Sequence, residues 1–372
     1  MGSFVNPFKI GKKYCAENFI DRKQEYSYLC SAVESGNNVV VVGPRRFGKT
    51  WLLQKFIVES GYPVIYLDLF GSFSLRGFLQ NVIRQAYRVL KEENPAGFVS
   101  RYLKNLVKHV RFSVDVGGVS FVIDNELSDE KLVVQMYELF ESIQKEFGQR
   151  LVVILDEFQG YKSISERLPE LLKSFFQMQS DVVFLVSGSM RHMIEELFFK
   201  DSGVLYHSCL KLDIKSMLPE DESVEYIVRK FVDTGKDIDE MCAKRIYTST
   251  RGHPYFVQML SYEVWNRTEG NVTMEDVENA IDYLCDRESY GYDLIIEALD
   301  YKYLKNVLKL IGENDGGYFS NSNLLVYEIP GASALNRLLK KLTEQGIIEK
   351  TGRGKYQIID PLFERYVNKV LV

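Results

Sequence analysis

Four β-branched apolar residues, Val39-Val-Val-Val42, run straight into Gly43-Pro44-Arg45-Arg46-Phe47-Gly48-Lys49-Thr50, and no other stretch constrains the chain as tightly. An apolar run without alternation suits a strand buried on both faces of a parallel sheet. The residues after it follow the spacing G-x-x-x-x-G-K-[ST]. Glycine lets a backbone turn sharply and approach a ligand closely. Successive N–H groups, together with the N-terminus of a helix read from Trp51 to Glu59, supply the positive potential that suits phosphate. In a loop of this kind Lys49 reaches the β- and γ-phosphates of a nucleotide and Thr50 offers its hydroxyl to magnesium. Gly43, Pro44, Arg45, Arg46, Phe47, Gly48, Lys49, Thr50 and Trp51 are therefore the expected phosphate-binding residues.

A second apolar run, Leu151 to Leu155, delivers Asp156 and Glu157 to the end of a strand. With the phosphate loop on a neighbouring strand, Asp156 is expected to hold the magnesium shell. Glu157 is expected to polarise the attacking water. A third apolar run ends in Val186-Ser187-Gly188-Ser189. Ser187 is placed there to bond the γ-phosphate or the lytic water, with Arg191 as a further phosphate contact.

Further strands are read at Pro63–Leu69, Val182–Val186 and Leu210–Ile214, separated by helical stretches. This β–α alternation predicts an α/β domain, a parallel sheet with helices on both faces. Residues 71–150 exceed a simple crossover and read as an insertion. Within it, alternating residues 111–124 around Gly117-Gly118 signal a hairpin. From Pro219 the strands stop and four helices follow, at about 219–234, 237–249, 253–267 and 273–288. Thr273, with Asp276 three residues on, has the spacing of a helix cap. Helices at Tyr301–Ile311 and Ala332–Gln345, with a short one between, then lead to strands Ile347–Lys350 and Lys355–Ile359. That order outlines a winged helix. The expected domains are a P-loop ATPase domain over 1–215, a helical lid over 216–295 and a winged helix over 296–372.

Net charge is −5, so the whole chain is no polycation built for nucleic acid. The five cysteines, Cys15, Cys30, Cys209, Cys242 and Cys285, form no C-x-x-C pair. Their spacing fits neither a disulfide framework nor a zinc site, and a reducing, cytoplasmic setting is expected. No apolar stretch approaches the roughly 20 residues of a membrane helix, so no membrane partner is expected.

Several segments together resemble the archaeal-type ATPases, a clade of the STAND group within the AAA+-like P-loop NTPases. They are Asn6-Pro-Phe8, Phe19-Ile-Asp-Arg22-Lys-Gln-Glu25, the GPRRFGKT loop, Leu155-Asp-Glu-Phe-Gln159, Ser187-Gly-Ser189 and Arg251-Gly-His-Pro-Tyr-Phe256. The resemblance implies a nucleoside pocket that includes Phe19, Ile20 and Arg22, and a lid turn that brings His253 or Pro254 to the nucleotide. It also implies ATP and magnesium as ligands, and the absence of an Asn-Lys-x-Asp base-reading motif favours ATP over GTP. Such relatives often carry an arginine after a Leu-aromatic-Gly stretch, whereas this chain has Leu205-Tyr206-His207-Ser208. Slow turnover is the expectation.

Two functions follow. One is an ATP-driven switch whose winged helix presents a surface to a protein partner. The other is a DNA-binding ATPase resembling the origin-recognition type. Residues 301–372 hold eleven Lys/Arg against seven Asp/Glu, including Lys340, Lys341, Arg353 and Lys355 on the expected recognition helix and wing. A small-molecule kinase is a third, weaker reading, because no acceptor-substrate signature is visible. The oligomeric state is left open.

Overall fold

A computed structural model describes residues 5–11, 14–91, 94–104, 108–115, 118–124, 126–178, 181–214, 217–299 and 302–371. The apolar tetrapeptide forms β1 (Val39–Val42), and all four of its side chains are fully buried. Helix α1 (Lys23–Glu34) precedes it and α2 (Lys49–Glu59) follows the phosphate loop. The next strand is β2 (Val64–Asp68). The insertion then supplies α3 (Leu75–Val89), α4 (Pro95–Tyr102), a hairpin of β3 (Val110–Asp115) and β4 (Gly118–Ile123), and α5 (Asp129–Phe147). Strands β5 (Leu151–Asp156), β6 (Val182–Gly188) and β7 (Leu210–Asp213) complete the sheet, with α6 (Tyr161–Ile164), α7 (Leu168–Met178) and α8 (Arg191–Phe198) between them.

The sheet is five-stranded and parallel in the order β2-β5-β6-β1-β7. This order corrects one expectation. The strands beside β1 are β7 and β6, the latter carrying Ser187, and β5 with its Asp156 lies one strand beyond β6. Both β5 and β6 are wholly buried, so their apolar runs look alike in sequence, and periodicity cannot rank them. The hairpin β3–β4 pairs only with itself, Phe112 opposite Phe121, and stays outside the main sheet. Its Phe121 packs with Tyr87 and Phe98 of α3 and α4. Gly117 of the expected turn lies outside the described residues.

The chain divides into two compact units, one from residue 13 to residue 215, the other joining the first twelve residues to residues 216–372. The second unit contains α9 (Glu220–Val232), α10 (Glu240–Thr250), α11 (Pro254–Arg267) and α12 (Met274–Ala298). After these come α13 (Lys302–Glu313), α14 (Asn321–Val326), α15 (Ala332–Glu344), the hairpin β8 (Ile348–Gly352) and β9 (Lys355–Ile358), and α16 (Pro361–Val370). Thr273 and Asp276 form a reciprocal capping box at the start of α12. That helix runs to Ala298 rather than stopping near residue 288, through Gly291. Tertiary packing overrides the local signal: buried Tyr292 stacks near Phe363 at 5.1 Å and donates its hydroxyl to Asp360. Helix α16 is an addition to the expected hairpin end. Its signal is in the sequence, an Asp360 N-cap accepting from Leu362 and Phe363 with Pro361 in the first turn.

Asn6-Pro-Phe8 also finds its reason here. The Asn6 amide donates to the Tyr262 carbonyl at 3.0 Å and to Asn266 at 2.9 Å, while its carbonyl accepts the Phe8 N–H. Phe8 is 1% exposed, with Phe231 at 5.4 Å and Tyr226 at 6.1 Å. The segment is a strap across α9 and α11. Truncation of so buried a ring removes transfer free energy and leaves a cavity, so Phe8→Ala is expected to cost about 3–5 kcal/mol. Hydrogen exchange on the full chain checks this: α9 and α11 should exchange faster while β1 stays protected.

Candidate functional site

The carboxyl ends of β1, β5 and β6 lie at one edge of the sheet, where ligands of open α/β sheets bind. At the end of β1 the chain turns through the phosphate loop, and its two glycines are needed for different reasons. A Cβ on Gly43 would sit 2.7 Å from the carbonyl oxygen of Ile214, just past β7. Gly48 has open space around it but a φ of +86°, a left-handed conformation that only glycine adopts at little cost. Arg46 also adopts a positive φ, 66°. Phe47 is 1% exposed and anchors the loop, while Arg45 and Arg46 face solvent.

Lys49 opens α2 and is 6% exposed. Its ammonium donates to the carbonyls of Gly43 at 2.8 Å and Pro44 at 2.7 Å. Burial pulls its pKa down to about 8, while the negative charges of Glu157 and Asp156 act the other way. Those two carboxylates are thus close enough to be felt at the lysine.

Asp156 is 2% exposed and accepts three hydrogen bonds. The Tyr66 hydroxyl of β2 donates at 2.8 Å, the Glu157 N–H donates at 3.0 Å, and Ser187 Oγ of β6 is the third donor. Ser187 is fully buried and spends its hydroxyl on Asp156. The hydroxyl expected to reach phosphate or water is thus bonded to the Asp156 carboxylate here. Burial, with the Asp156 charge beside it, raises the Tyr66 phenol far above its ordinary value and keeps it a donor. Asp68, at the tip of β2, is raised by loss of hydration and by the charges of Asp156 and Glu157.

Glu157 has φ 51° and ψ 51°. A non-glycine residue held there costs about 1–2 kcal/mol, and such strain persists where surroundings over-determine the backbone. The surroundings are Gln159 and Ser189. Gln159 Nε2 donates to Glu157 Oε2 and to Ser189 Oγ at 3.0 Å, and Ser189 Oγ donates to Glu157 Oε2 at 3.2 Å. Both residues lie inside the LDEFQ and SGS stretches, where the sequence assigns neither a role of its own. The signal was a polar amide in an otherwise apolar turn, flanked by Phe158 and Gly160.

Phe19, Ile20 and Arg22 fall in the same unit as the loop. The Phe19 ring lies nearly parallel to that of Trp51, 17° between planes and 6.5 Å between centroids, and Tyr14 meets both edge-on. Lys55 points at the Phe19 ring from 5.4 Å. Ile20 is buried, and Arg22 is buried and paired with Glu25 at 2.9 Å. His253 and Pro254 belong to the other unit. There His253 caps α11, its Nδ1 accepting the Tyr255 N–H, and Pro254 takes the first helical position. Arg251 beside them pairs with Glu364 and donates to the Ile358 carbonyl, which fastens the α10–α11 turn to α16 and β9. The Arg191 side chain is outside those described.

Magnesium requires hard oxygen donors. The Thr50 hydroxyl and the Asp156 carboxylate are of that kind, so the residues present fit the ion. Among the described residues no group of three or more His, Cys, Asp or Glu could hold a metal by itself. Nor is any described helix long and apolar enough to cross a membrane.

Residues 19–274 match the model of a family described as an ATPase domain predominantly from Archaea. Among solved structures, the Walker-type ATPase PABY2304 of Pyrococcus abyssi is similar at 20% identity and a TM-score of 0.67, covering 97% of this chain and 99% of that one. That likeness extends the shared fold to nearly the full length. The Aeropyrum pernix Orc1 protein in complex with DNA aligns at 14% identity over 95% of this chain and 93% of its own, with a TM-score of 0.45. The Thermotoga maritima RuvB Holliday junction branch migration motor aligns at 14% over 93% and 94%, with a TM-score of 0.46. No curated protein matches the sequence.

The two glycines give a test of the loop. Gly43→Ala is expected to destabilise by about 1–3 kcal/mol through overpacking against Ile214. Gly48→Ala is expected to cost about 1–2 kcal/mol through backbone strain alone. Urea denaturation reads both, and unchanged stability in either variant contradicts the reason given for that glycine.

Proposed function

Because the chain belongs to the family of ATPase domains found predominantly in Archaea, we propose that it binds ATP at the Gly43–Thr50 loop and hydrolyses it slowly, using the nucleotide as a switch. One observation carries the catalytic part: the Lys49 ammonium is buried at the phosphate loop, within reach of the charges of Glu157 and Asp156 at the carboxyl edge of the sheet. Triphosphate oxygens compete with the neutral carbonyls of Gly43 and Pro44 for the Lys49 ammonium, and a charge-assisted bond is the stronger. Phe19 and Trp51 supply aromatic surface for the base. Thr50 and Asp156 would hold magnesium, which when bound neutralises phosphate charge. Glu157 takes a proton from the attacking water. The stretch Leu205–Ser208 contains no arginine to stabilise transition-state charge, which supports slow turnover.

The switch reading is supported by where the chain crosses between its units, at residues 12–13 and 215–216. The described residue nearest each crossing, Tyr14 or Ile214, packs against the loop or the helix that follows it. Ile214 presses on Gly43 and donates its N–H to Val42. The Tyr14 N–H donates to Gln54 of α2, and its ring meets Trp51. A change at the phosphate loop would thereby reach Tyr14 and Ile214, the described residues beside the crossings. The α13–α15 helices with the β8–β9 hairpin would be the winged-helix output for a protein partner. Duplex DNA is the second reading; two of its four expected contacts sit in exposed ion pairs, Lys355 with Asp315 at 3.1 Å and Lys340 with Glu344 at 3.7 Å, which a phosphate backbone would displace.

Lys49→Ala should abolish tight ATP binding by calorimetry, because the site loses the side-chain cation aimed at the phosphates. Glu157→Gln should keep ATP binding and lower turnover by about 100-fold or more, the usual worth of a general base. Asp156→Asn should also weaken magnesium dependence. For the switch, ATP with magnesium should protect the 215–220 link and the turn at residue 250 from proteolysis, and Lys49→Ala should lose that protection. Identical digestion with and without bound ATP leaves a rigid ATPase instead.

A further inference from the structure

The two oxygens of Glu157 are not equivalent. Both side-chain donors, Gln159 Nε2 and Ser189 Oγ, converge on Oε2. Gln159 is only 8% exposed, and its other end is used as well, Oε1 accepting the Ser189 N–H at 3.3 Å. The fit is close: a Cβ on Gly188 would lie 3.1 Å from Gln159 Oε1 and 2.9 Å from Ile194 Cδ1, so the amide occupies room that a larger residue at 188 would take. A glutamine on a strand-end turn ordinarily faces solvent. This one is held on both sides and aimed at a carboxylate whose backbone is already in the left-handed region.

We propose that Gln159 is a positioning residue for ATP hydrolysis, fixing Glu157 by its Oε2 so that Oε1 is the oxygen that receives the water proton. Ser189 completes the same clamp and ties it to the end of β6. In the reaction the water oxygen bonds to the γ-phosphorus while one water proton passes to Oε1. The bond from the γ-phosphorus to the β–γ bridging oxygen breaks, and its electron pair leaves with ADP, giving ADP and inorganic phosphate. Gln159 gains and loses no proton. It acts by limiting Glu157 to one rotamer, and a base confined to the productive geometry transfers the proton more often. The inference rests on the reading of Glu157 as the base, and the test separates the two.

Gln159→Leu keeps the approximate volume and removes both polar ends. It should lower kcat by about tenfold while KM and the calorimetric Kd for ATP stay within about twofold, the pattern of an interaction made in the transition state. Ser189→Ala should do the same to a smaller extent, and the double variant should lose less than the product of the two, since they form one network. The deciding measurement is Gln159→Leu in the Glu157→Gln background. If Gln159 works through the carboxylate, it should cause no further loss of turnover there. An equal loss in both backgrounds, or an unchanged kcat in Gln159→Leu and Ser189→Ala with ATP bound, overturns the proposal. Full turnover in Glu157→Gln alone overturns instead the assignment of the base. A fallen melting temperature with unchanged kcat per folded molecule assigns Gln159 to stability only.

Discussion

Three strands of the sheet are tied together at one buried carboxylate. Asp156, at the end of β5, accepts from Tyr66 on β2, from Ser187 on β6 and from the N–H of Glu157. A buried charge without such donors is costly, and each donor lost would leave an uncompensated oxygen. With them satisfied, the tips of β2, β5 and β6 are fixed against one another, and the backbone after Asp156 enters the left-handed conformation of Glu157 from a rigid base. The carboxyl edge of the sheet is thus set by Asp156, and its geometry is made by hydrogen bonds within the protein.

How the rest of the edge is built follows from that anchor. Ser187 spends its hydroxyl on Asp156, so the polar residue of the SGS stretch that reaches Glu157 is Ser189, two residues on. Side chains of a strand alternate in direction, but β6 ends at Gly188, and beyond it the chain is free to turn Ser189 toward the neighbouring turn. Gly160 completes the fit from the other side. A Cβ there would come within 2.9 Å of the Leu69 backbone, so the turn after Glu157 packs directly on the loop after β2.

The strands and the phosphate loop were legible because they rest on local rules. A β-branched run before a glycine, and a fixed spacing of Gly, Lys and Thr, need no tertiary information. The strand order was not legible: β5 and β6 are both apolar throughout, and which one lies beside β1 depends on crossovers that leave no periodic trace. The hydrogen bonds of Ser187 and Ser189 were hidden for a related reason. Ser187 bonds Asp156 and Ser189 bonds Gln159, partners about 30 positions away. Helix α16 is a different case, since its Asp-Pro start and apolar spacing were in plain view after the second hairpin strand. The length of α12 was not, because Gly291 lies within it and only the packing of Tyr292 and Ile296 carries the helix past that point.

The strap at the N-terminus holds one end of the chain's first passage between the two units. Here the chain passes between the units twice, and the second unit holds its end of the first passage by buried Phe8 and the bonds of Asn6. The loop side is held too, by Tyr14 on α2 and by Ile214 against Gly43. Within the second unit, Arg251 fastens the α10–α11 turn to α16 and β9. Burial lowers the Arg251 guanidinium and raises the Glu364 carboxyl, so both charges are partly desolvated and their pairing resists water better than a surface bridge does. The α10–α11 turn is thereby linked to the terminal hairpin and α16 by this ion pair, beside the bond from Tyr292 of α12 to Asp360.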